Sequence, residues 1–351
     1  MSIFSKKCLG IDIGASSIKI VEISLSGRRK KLENYVEFGL TPDGSSFETF
    51  QGENLLLLSS EVSEVLKGLF KRASIKEKNV ALSIPDFSTF FTTFDLPPMA
   101  KAEIPQAVEF EARHHILLPL SEVSFDWQII EKKEVMPGLK LKILLVAVPN
   151  NVLNTYQKMA MLSQLKLKGM EAEVFGLIRS SIPKDLIQKS VCIVDLGWQT
   201  TTVSIVENKV LRKSHSFDIS GSSLTRALAE KLNISLTEAE KLKKEQGLNP
   251  ERKDILESLL PQINSLAFEI EKVCNNYQPS EGEGVENIIL SGGSSVLFGL
   301  KEYLEGQLKK NIQMAKPFSG ISFPSSLKPR LEELSSSFAV AVGVALMGLE
   351  S

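Results

Sequence analysis

Hydrophobic positions along the chain alternate between short apolar runs and longer stripes of helical spacing, the pattern of an α/β protein. Leu9 to Glu22 reads as an apolar strand, a turn and a second strand rich in β-branched residues. Residues 41 to 53 are rich in Gly, Ser, Pro and Asp and read as an exposed loop. Leu55 to Ala73 is a helix with Leu58, Val62, Val65, Leu66, Leu69 and Phe70 on one face, and Asn79 to Ile84 is a strand stopped by Pro85. A differently textured block follows. Thr89 to Leu96 predicts a strand ending at Pro97-Pro98, Lys101 to Ile116 a helix with Pro105 in its early turns, and Asn151 to Leu165 another helix. Between them, Phe125 to Lys132 and Leu139 to Val148 pair as strands around Pro137-Gly138. Helices are predicted at Ser222 to Lys231, Thr237 to Gln246 and Lys253 to Asn276. The last carries Ile255, Leu259, Ile263, Leu266, Ile270 and Val273 on one stripe. Asn287 to Leu290 is a short buried strand running into Ser291-Gly292-Gly293-Ser294-Ser295. Helices at Val296 to Lys309 and Ser335 to Leu349 close the chain.

One phrase occurs twice. Ile11-Asp12-Ile13-Gly14-Ala15-Ser16-Ser17 and Val194-Asp195-Leu196-Gly197-Trp198-Gln199-Thr200 each end an apolar strand with Asp-x-Gly-x-x-Ser/Thr and lead into another strand. A turn at Gly leaves backbone N–H groups free to face an anion, and the Asp is placed to hold a divalent cation through water. Two such hairpins facing each other clamp a polyphosphate and its metal, so the phrase points to a nucleotide site in a duplicated fold.

At 351 residues the chain exceeds one simple core. A net charge of −1, with no basic run longer than Arg28-Arg29-Lys30-Lys31 (read as a solvated turn), argues against a nucleic-acid partner. Cys8, Cys192 and Cys274 lack metal spacing and read as buried reduced thiols, which suits a cytoplasmic protein. His114, His115 and His215 are structural or surface residues. Phe338 to Leu349 is too short to span a bilayer and suits a buried helix.

In order, Asp12-x-Gly14-x-x-Ser17, Asp195-x-Gly197-x-x-Thr200 and Ile288-Ile289-Leu290-Ser291-Gly292-Gly293-Ser294 resemble the two phosphate loops and the adenosine loop of the actin, Hsp70 and sugar-kinase superfamily. Ala239-Glu240-Lys241-Leu242-Lys243 resembles the Glu-x-x-Lys helix that reaches ribose and adenine in bacterial actin relatives, and Ala339 to Leu346 resembles the closing helix. Within that superfamily the stretch Gly10 to Glu22, the segments Ser83-Ile84-Pro85, Leu96-Pro97-Pro98-Met99 and Val108-Glu109-Phe110-Glu111-Ala112, and the strand pair before Ala147-Val148-Pro149 resemble the PilM family of type IV pilus assembly proteins.

The resemblance implies an actin-like ATPase fold: two duplicated ribonuclease-H-like lobes with an inserted FtsA-type small α+β subdomain. It divides the chain into a first lobe (1–83, 170–188 and 330–351), an insert (84–169), a second lobe (189–219 and 284–329) and a helical subdomain (220–283). It implies a cytoplasmic ATP-binding scaffold, peripheral at the inner membrane through partners and serving pilus assembly and twitching motility. The implied partner is the N-terminal cytoplasmic peptide of a PilN-like membrane protein. Other pilus assembly proteins are implied as well, the assembly motor ATPases among the candidates. The peptide groove would lie between the first lobe and the insert; Phe90, Phe91, Phe94 and Phe110 are apolar candidates, with core packing as their default.

For the site it implies ATP and Mg2+, with Asp12 and Asp195 orienting the metal and its waters. Gly14, Ala15, Ser16, Ser17, Gly197, Gln199, Thr200 and Thr201 would cradle phosphate. Lys19 is either a phosphate neutraliser or a surface lysine. Gly221 would let a helix N-terminus approach the phosphates, Gly292, Gly293 and Ser294 would border adenosine, and Glu240 and Lys243 would reach ribose and base. Glu173 holds the place of the water-positioning carboxylate of bacterial actins, with Glu171 as rival. The Pro and Ala of that segment are missing, which suits weak or absent turnover with ATP as a structural ligand. Two other readings share the superfamily. An FtsA-like polymerising protein would add a C-terminal linker and amphipathic helix, whereas this sequence stops at Ser351. A small-molecule kinase would need a polar sugar-site Asp, whereas Asp86 and Asp95 sit in Pro-flanked contexts typical of structural turns.

Overall fold

A computed structural model describes residues 5–39, 55–135, 138–277 and 284–350; the loop read at 41–53 lies outside them. The chain opens with β1 (Lys6–Ile13), β2 (Ser17–Ser26), β3 (Arg29–Gly39), α1 (Leu55–Arg72) and β4 (Asn79–Ile84). Next come β5 (Phe90–Leu96), α2 (Ile104–His115), β6 (Val123–Val135), β7 (Gly138–Pro149) and α3 (Asn150–Leu162), then β8 (Lys166–Ala172) and α4 (Glu173–Ser181). The repeat begins with β9 (Ser190–Leu196), β10 (Thr201–Glu207) and β11 (Val210–Phe217). It continues through α5 (Gly221–Leu232), α6 (Leu236–Gln246), α7 (Lys253–Asn275), β12 (Asn287–Ser291), α8 (Leu300–Leu308) and β13 (Asn311–Met314). Finally β14 (Ile321–Ser322), α9 (Lys328–Leu334) and α10 (Ala339–Glu350) return to the start.

The duplication is visible in the sheets. One has the order β14-β3-β2-β1-β4-β8 and the other β11-β10-β9-β12-β13. In each, an antiparallel three-strand meander is followed by strands parallel to its first: β4 and β8 run with β1, and β12 and β13 with β9.

Side-chain alternation sorts each strand between two cores. On β1, Leu9, Ile11 and Ile13 join a core with α1 and α3, while Cys8 joins the one built on α10. On β9, Cys192, Val194 and Leu196 face α5 and α7, while Val191 and Ile193 face α4 and α10. Helices α4 and α10 therefore fill the layer between the sheets. Gly343 makes their crossing possible: a Cβ there would collide with the carbonyl oxygen of Gly176. The α10 sequence is apolar around its whole circumference, as a helix walled in on all sides must be.

The third sheet, β5-β7-β6, packs with α2 around Phe94, Val108 and Ile143. This separate unit is narrower than 84–169, because α3 packs on α1 in the first lobe's core and β8 pairs with β4. It also touches the second lobe. Arg212 on β11 pairs with Glu207 at 2.8 Å and reaches Glu131 and the carbonyl of Ile130 on β6, each at 3.4 Å. Of the four phenylalanines, Phe94 is buried and Phe91 lies edge-on to Phe175 at 6.2 Å. Phe110 departs from the core reading, standing 61% exposed on α2.

Several edges differ from the sequence reading. Of the four basic residues read as a turn, Arg28 lies in it beside Gly27, at φ +60°, whereas Arg29, Lys30 and Lys31 open β3. Helix α8 begins at Leu300 because Gly299 stands in the left-handed region, at φ +77°, and interrupts helix upstream. Cys8, Cys192 and Cys274 are buried and unbridged.

Candidate functional site

The alternation that builds the cores also aims the acids. Asp12 is in phase with Cys8, and Asp195 with Val191 and Ile193, so each carboxylate ends its strand on the face turned toward the other lobe. Both turns are held alike: Gly14 N–H donates to the Ser17 carbonyl and Gly197 N–H to that of Thr200, each at 3.0 Å. They face one another across a cavity of about 650 Å3 bordered by Asp12, Asp195, Glu173 and the Gly292-Gly293 turn. The carboxyl ends of parallel strands β1, β4, β8, β9 and β12 converge there, the crevice where open α/β sheets take ligands.

Ala15, Ser16, Ser17, Gln199, Thr200, Ser294 and Glu240 also line the cavity. Lys19 does too; it is 8% exposed, and its ammonium donates to Ser17 Oγ at 2.7 Å. The surface alternative for Lys19 is thus set aside. Gly292 adopts φ +89° with its Cα against the Leu196 backbone, where any side chain would collide with the Leu196 carbonyl.

Three residues expected at the ligand stand behind it. Thr201 faces the core, its hydroxyl donating to the Ile219 carbonyl, because one step along β10 reverses the side chain; Thr200 and Thr202 face the cavity instead. Gly221 donates its N–H to the Gly197 carbonyl at 2.9 Å and supports the second turn from beneath. Lys243 is 4% exposed and spends its ammonium on the Gly221 carbonyl, Thr225 Oγ1 and Glu240, at 2.8, 2.8 and 2.6 Å, beneath the Trp198 ring. Its neighbour Lys244 takes the open place, lining the cavity and pairing with Glu240 at 3.1 Å.

Glu171 and Glu173 separate cleanly. Glu171 is gripped by both guanidinium nitrogens of Arg179, which also donates to the Gly343 carbonyl at 3.1 Å. Glu173, at the start of α4, lines the cavity and accepts the backbone N–H of Asp86 at 3.1 Å. Asp86 returns the contact by capping α4: its Oδ1 accepts Val174 N–H at 3.2 Å. Sequence reasoning put Asp86 in a structural turn. Its position just past the carboxyl end of a parallel strand was the available signal.

Four carboxyls thus crowd together, Asp12, Asp195 and Glu173 on the cavity and Asp86 behind them; burial raises all their pKa values, and repulsion adds to it for Asp195, Asp86 and Glu173. Burial pushes Asp195 up to about 6, with the Asp12 charge adding to it and the Ser291 hydroxyl and Lys19 opposing. Asp86 rises to about 8, chiefly by burial, over the opposing Val174 hydrogen bond. Glu173 is held well above the carboxylate range by burial and then by Asp86, Asp12 and Asp195. Asp12 is raised by burial despite Lys19 and the 2.8 Å hydrogen bond from Ser83 Oγ. Asp86 Oδ2, Asp195 Oδ1 and Gln199 Oε1 are buried without a hydrogen-bond partner. Such a cluster calls for positive charge. Among the described residues no three His, Cys, Asp or Glu side chains group closely enough to ligate a metal directly, so a cation would be held through water and ligand oxygens.

The family model described as type IV pilus assembly protein PilM matches residues 10–349. Among solved structures, the PilM-PilN type IV pilus biogenesis complex is similar at TM-score 0.82 and 22% identity, covering 98% of this chain and 99% of that one. MreB5 of Spiroplasma citri bound to ADP is similar at TM-score 0.52 and 12% identity, covering 97% and 96%. The cell division protein FtsA of Staphylococcus epidermidis (strain ATCC 12228 / FDA PCI 1200) is 22% identical over 245 residues, 62% of this chain and 52% of the relative. The chain thus spans about half the length of the curated relatives it matches. The lobes have the actin-like fold, and no single helix among the described residues is long and apolar enough to cross a membrane. With a match running almost from end to end, the chain belongs to the PilM family of type IV pilus assembly proteins.

Proposed function

We propose that this protein binds Mg-ATP between its lobes and acts as an actin-like scaffold of pilus assembly, engaging the cytoplasmic N-terminal peptide of a PilN-like inner-membrane protein. The observation that carries the nucleotide reading is the pair of matched acidic turns on one cavity. Its volume lies within the range of small-molecule sites, about 300–1,000 Å3. Backbone N–H groups of both turns and the hydroxyls of Ser16, Ser17 and Thr200 donate to phosphate oxygens, with Lys19 supplying charge. Asp12 and Asp195 hold the waters of the metal. Magnesium, when bound, supplies the positive charge that lets this cluster ionise and offsets the phosphates. Glu240 and Lys244 meet the sugar and base.

Glu173 is the carboxyl placed to orient an attacking water: it lines the cavity at the start of α4, where the backbone N–H of Asp86 holds it. Glu173 is followed by Val174-Phe175-Gly176, without the Pro and Ala of the bacterial-actin segment, so turnover is slow and the nucleotide serves mainly to hold the lobes together. The peptide reading is supported by family membership and by likeness to a structure of a PilM-PilN complex.

Titration calorimetry tests both halves. Asp195→Ala should weaken Mg-ATP binding by about tenfold or more, roughly 1.4 kcal/mol. Unchanged affinity removes the metal assignment. A peptide copied from a PilN-like N-terminus should bind the nucleotide-loaded protein, and failure to bind removes the partner.

A further inference from the structure

At the opposite end of β4 from Asp86, the loop between α1 and β4 and the end of α3 enclose a second pocket of about 390 Å3. Four lysines line it, Lys67, Lys71, Lys76 and Lys78, and no carboxylate does. Glu64 pairs with Lys67 at 2.6 Å, whereas among the described residues Lys71, Lys76 and Lys78 form no ion pair. The nearby Glu77 turns its Oε1 to the backbone N–H groups of Lys78 and Asn79, at 2.8 and 2.7 Å. Lys78 stacks its ammonium 5.9 Å from the ring of Phe70 in the same wall. Lys166, exposed and donating its N–H to the Lys78 carbonyl, extends the basic surface. Such a concentration of like charge in a chain of net charge −1 is self-repelling unless an anion sits in it. Ser163 supplies a further, independent feature: it lines the pocket, is 2% exposed, and its hydroxyl has no hydrogen-bond partner. A phosphate oxygen would satisfy that donor.

An apolar side chain stands beside these charges. Met161, in the last turn of α3, is 68% exposed, and its carbonyl accepts the N–H of Gln164 on the pocket rim. Lysines lining a recess with room for a phosphorylated headgroup, next to an exposed thioether, fit an interface where headgroups meet acyl chains. We propose that this pocket binds the phosphate headgroup of an anionic phospholipid and seats the first lobe, cleft outward, on a membrane surface. The site is separate from the nucleotide cleft and does not depend on it.

Co-sedimentation of the full chain with vesicles tests this. Vesicles of phosphatidylglycerol and phosphatidylcholine should retain the protein, vesicles of phosphatidylcholine alone should not, and added salt should release it. Lys71→Glu with Lys76→Glu should cut binding by at least about tenfold, since each lysine near such a surface contributes about fivefold. Met161→Ser should weaken vesicle binding alone, leaving inorganic phosphate binding by calorimetry unchanged. Lys301→Glu, distant from the pocket, is the control, and thermal unfolding checks that each variant folds. Equal retention on both vesicle types, or retention indifferent to the double reversal, overturns the proposal. So does binding of inorganic phosphate or an acidic phosphopeptide without any vesicle binding, which would place the ligand in solution.

Discussion

Lys243 and Lys244 are adjacent in sequence yet answer to different physics. Lys243 is the buried partner of Glu240, so Lys243→Met leaves that carboxylate to Thr225 and the exposed Lys244 and frees the Gly221 carbonyl, and should cost about 1–3 kcal/mol in urea unfolding. Lys244 is 72% exposed at the cavity edge; Lys244→Ala should change stability by less than about 0.5 kcal/mol while lowering nucleotide affinity in calorimetry. The raised carboxyls predict a pH dependence with a definite sign. Asp195 and Asp86 bind protons more tightly in the folded chain, up to about 6 and about 8, than in the unfolded one. Their contribution is therefore fully present below the ordinary carboxylate range and is lost as pH rises through 6 and then 8. In metal-free buffer the thermal midpoint should fall across that window, and Asp86→Asn should flatten its upper part. At this scale Asp12 and Asp195 were legible because a phrase that recurs names its own chemistry. Asp86 was not, since Pro85 beside it suggests only a turn. Thr201 was misplaced because the motif says which residues are near, not which face they take.

Striped helices and continuous apolar strands announced themselves; elements at the margins did not. The helix α7 stripe follows from periodicity, and β1, β2, β9 and β12 from apolar runs buried on both faces. By contrast β8, β11 and β13 are edge strands, whose polar residues guard unpaired backbone and blur the alternation. In β8, Lys166-Leu167-Lys168-Gly169-Met170-Glu171-Ala172 also carries a glycine mid-strand. The buried crossing of α4 and α10 gives the prediction proper to this scale. Gly343→Ala drives a methyl into the Gly176 carbonyl and should cost about 1–3 kcal/mol or more in chemical denaturation. Gly176→Ala places its methyl 3.1 Å from the Val340 carbonyl, a contact relieved by a few tenths of an ångström, and should cost less.

For the molecule as a whole, two sheets of one topology present their strand ends to a common cleft, and the repeat in the sequence sufficed to foretell it. The insert's extent was not foretold, because α3 and β8 join the first lobe through long-range packing that no local pattern carries. If nucleotide draws the lobes together, amide exchange at the Gly14–Ser17 and Gly197–Thr200 turns should slow in concert when Mg-ATP is added. Slowing at one turn alone would break the symmetry of the reading. The Arg212 contact between β11 and β6 has a mechanical consequence. With the third sheet fastened to the second lobe as well as to the first, a hinge motion at the cleft cannot leave it idle. A few degrees of rotation between the lobes would become a sideways tug on that sheet, and a peptide clipped to it would be carried along.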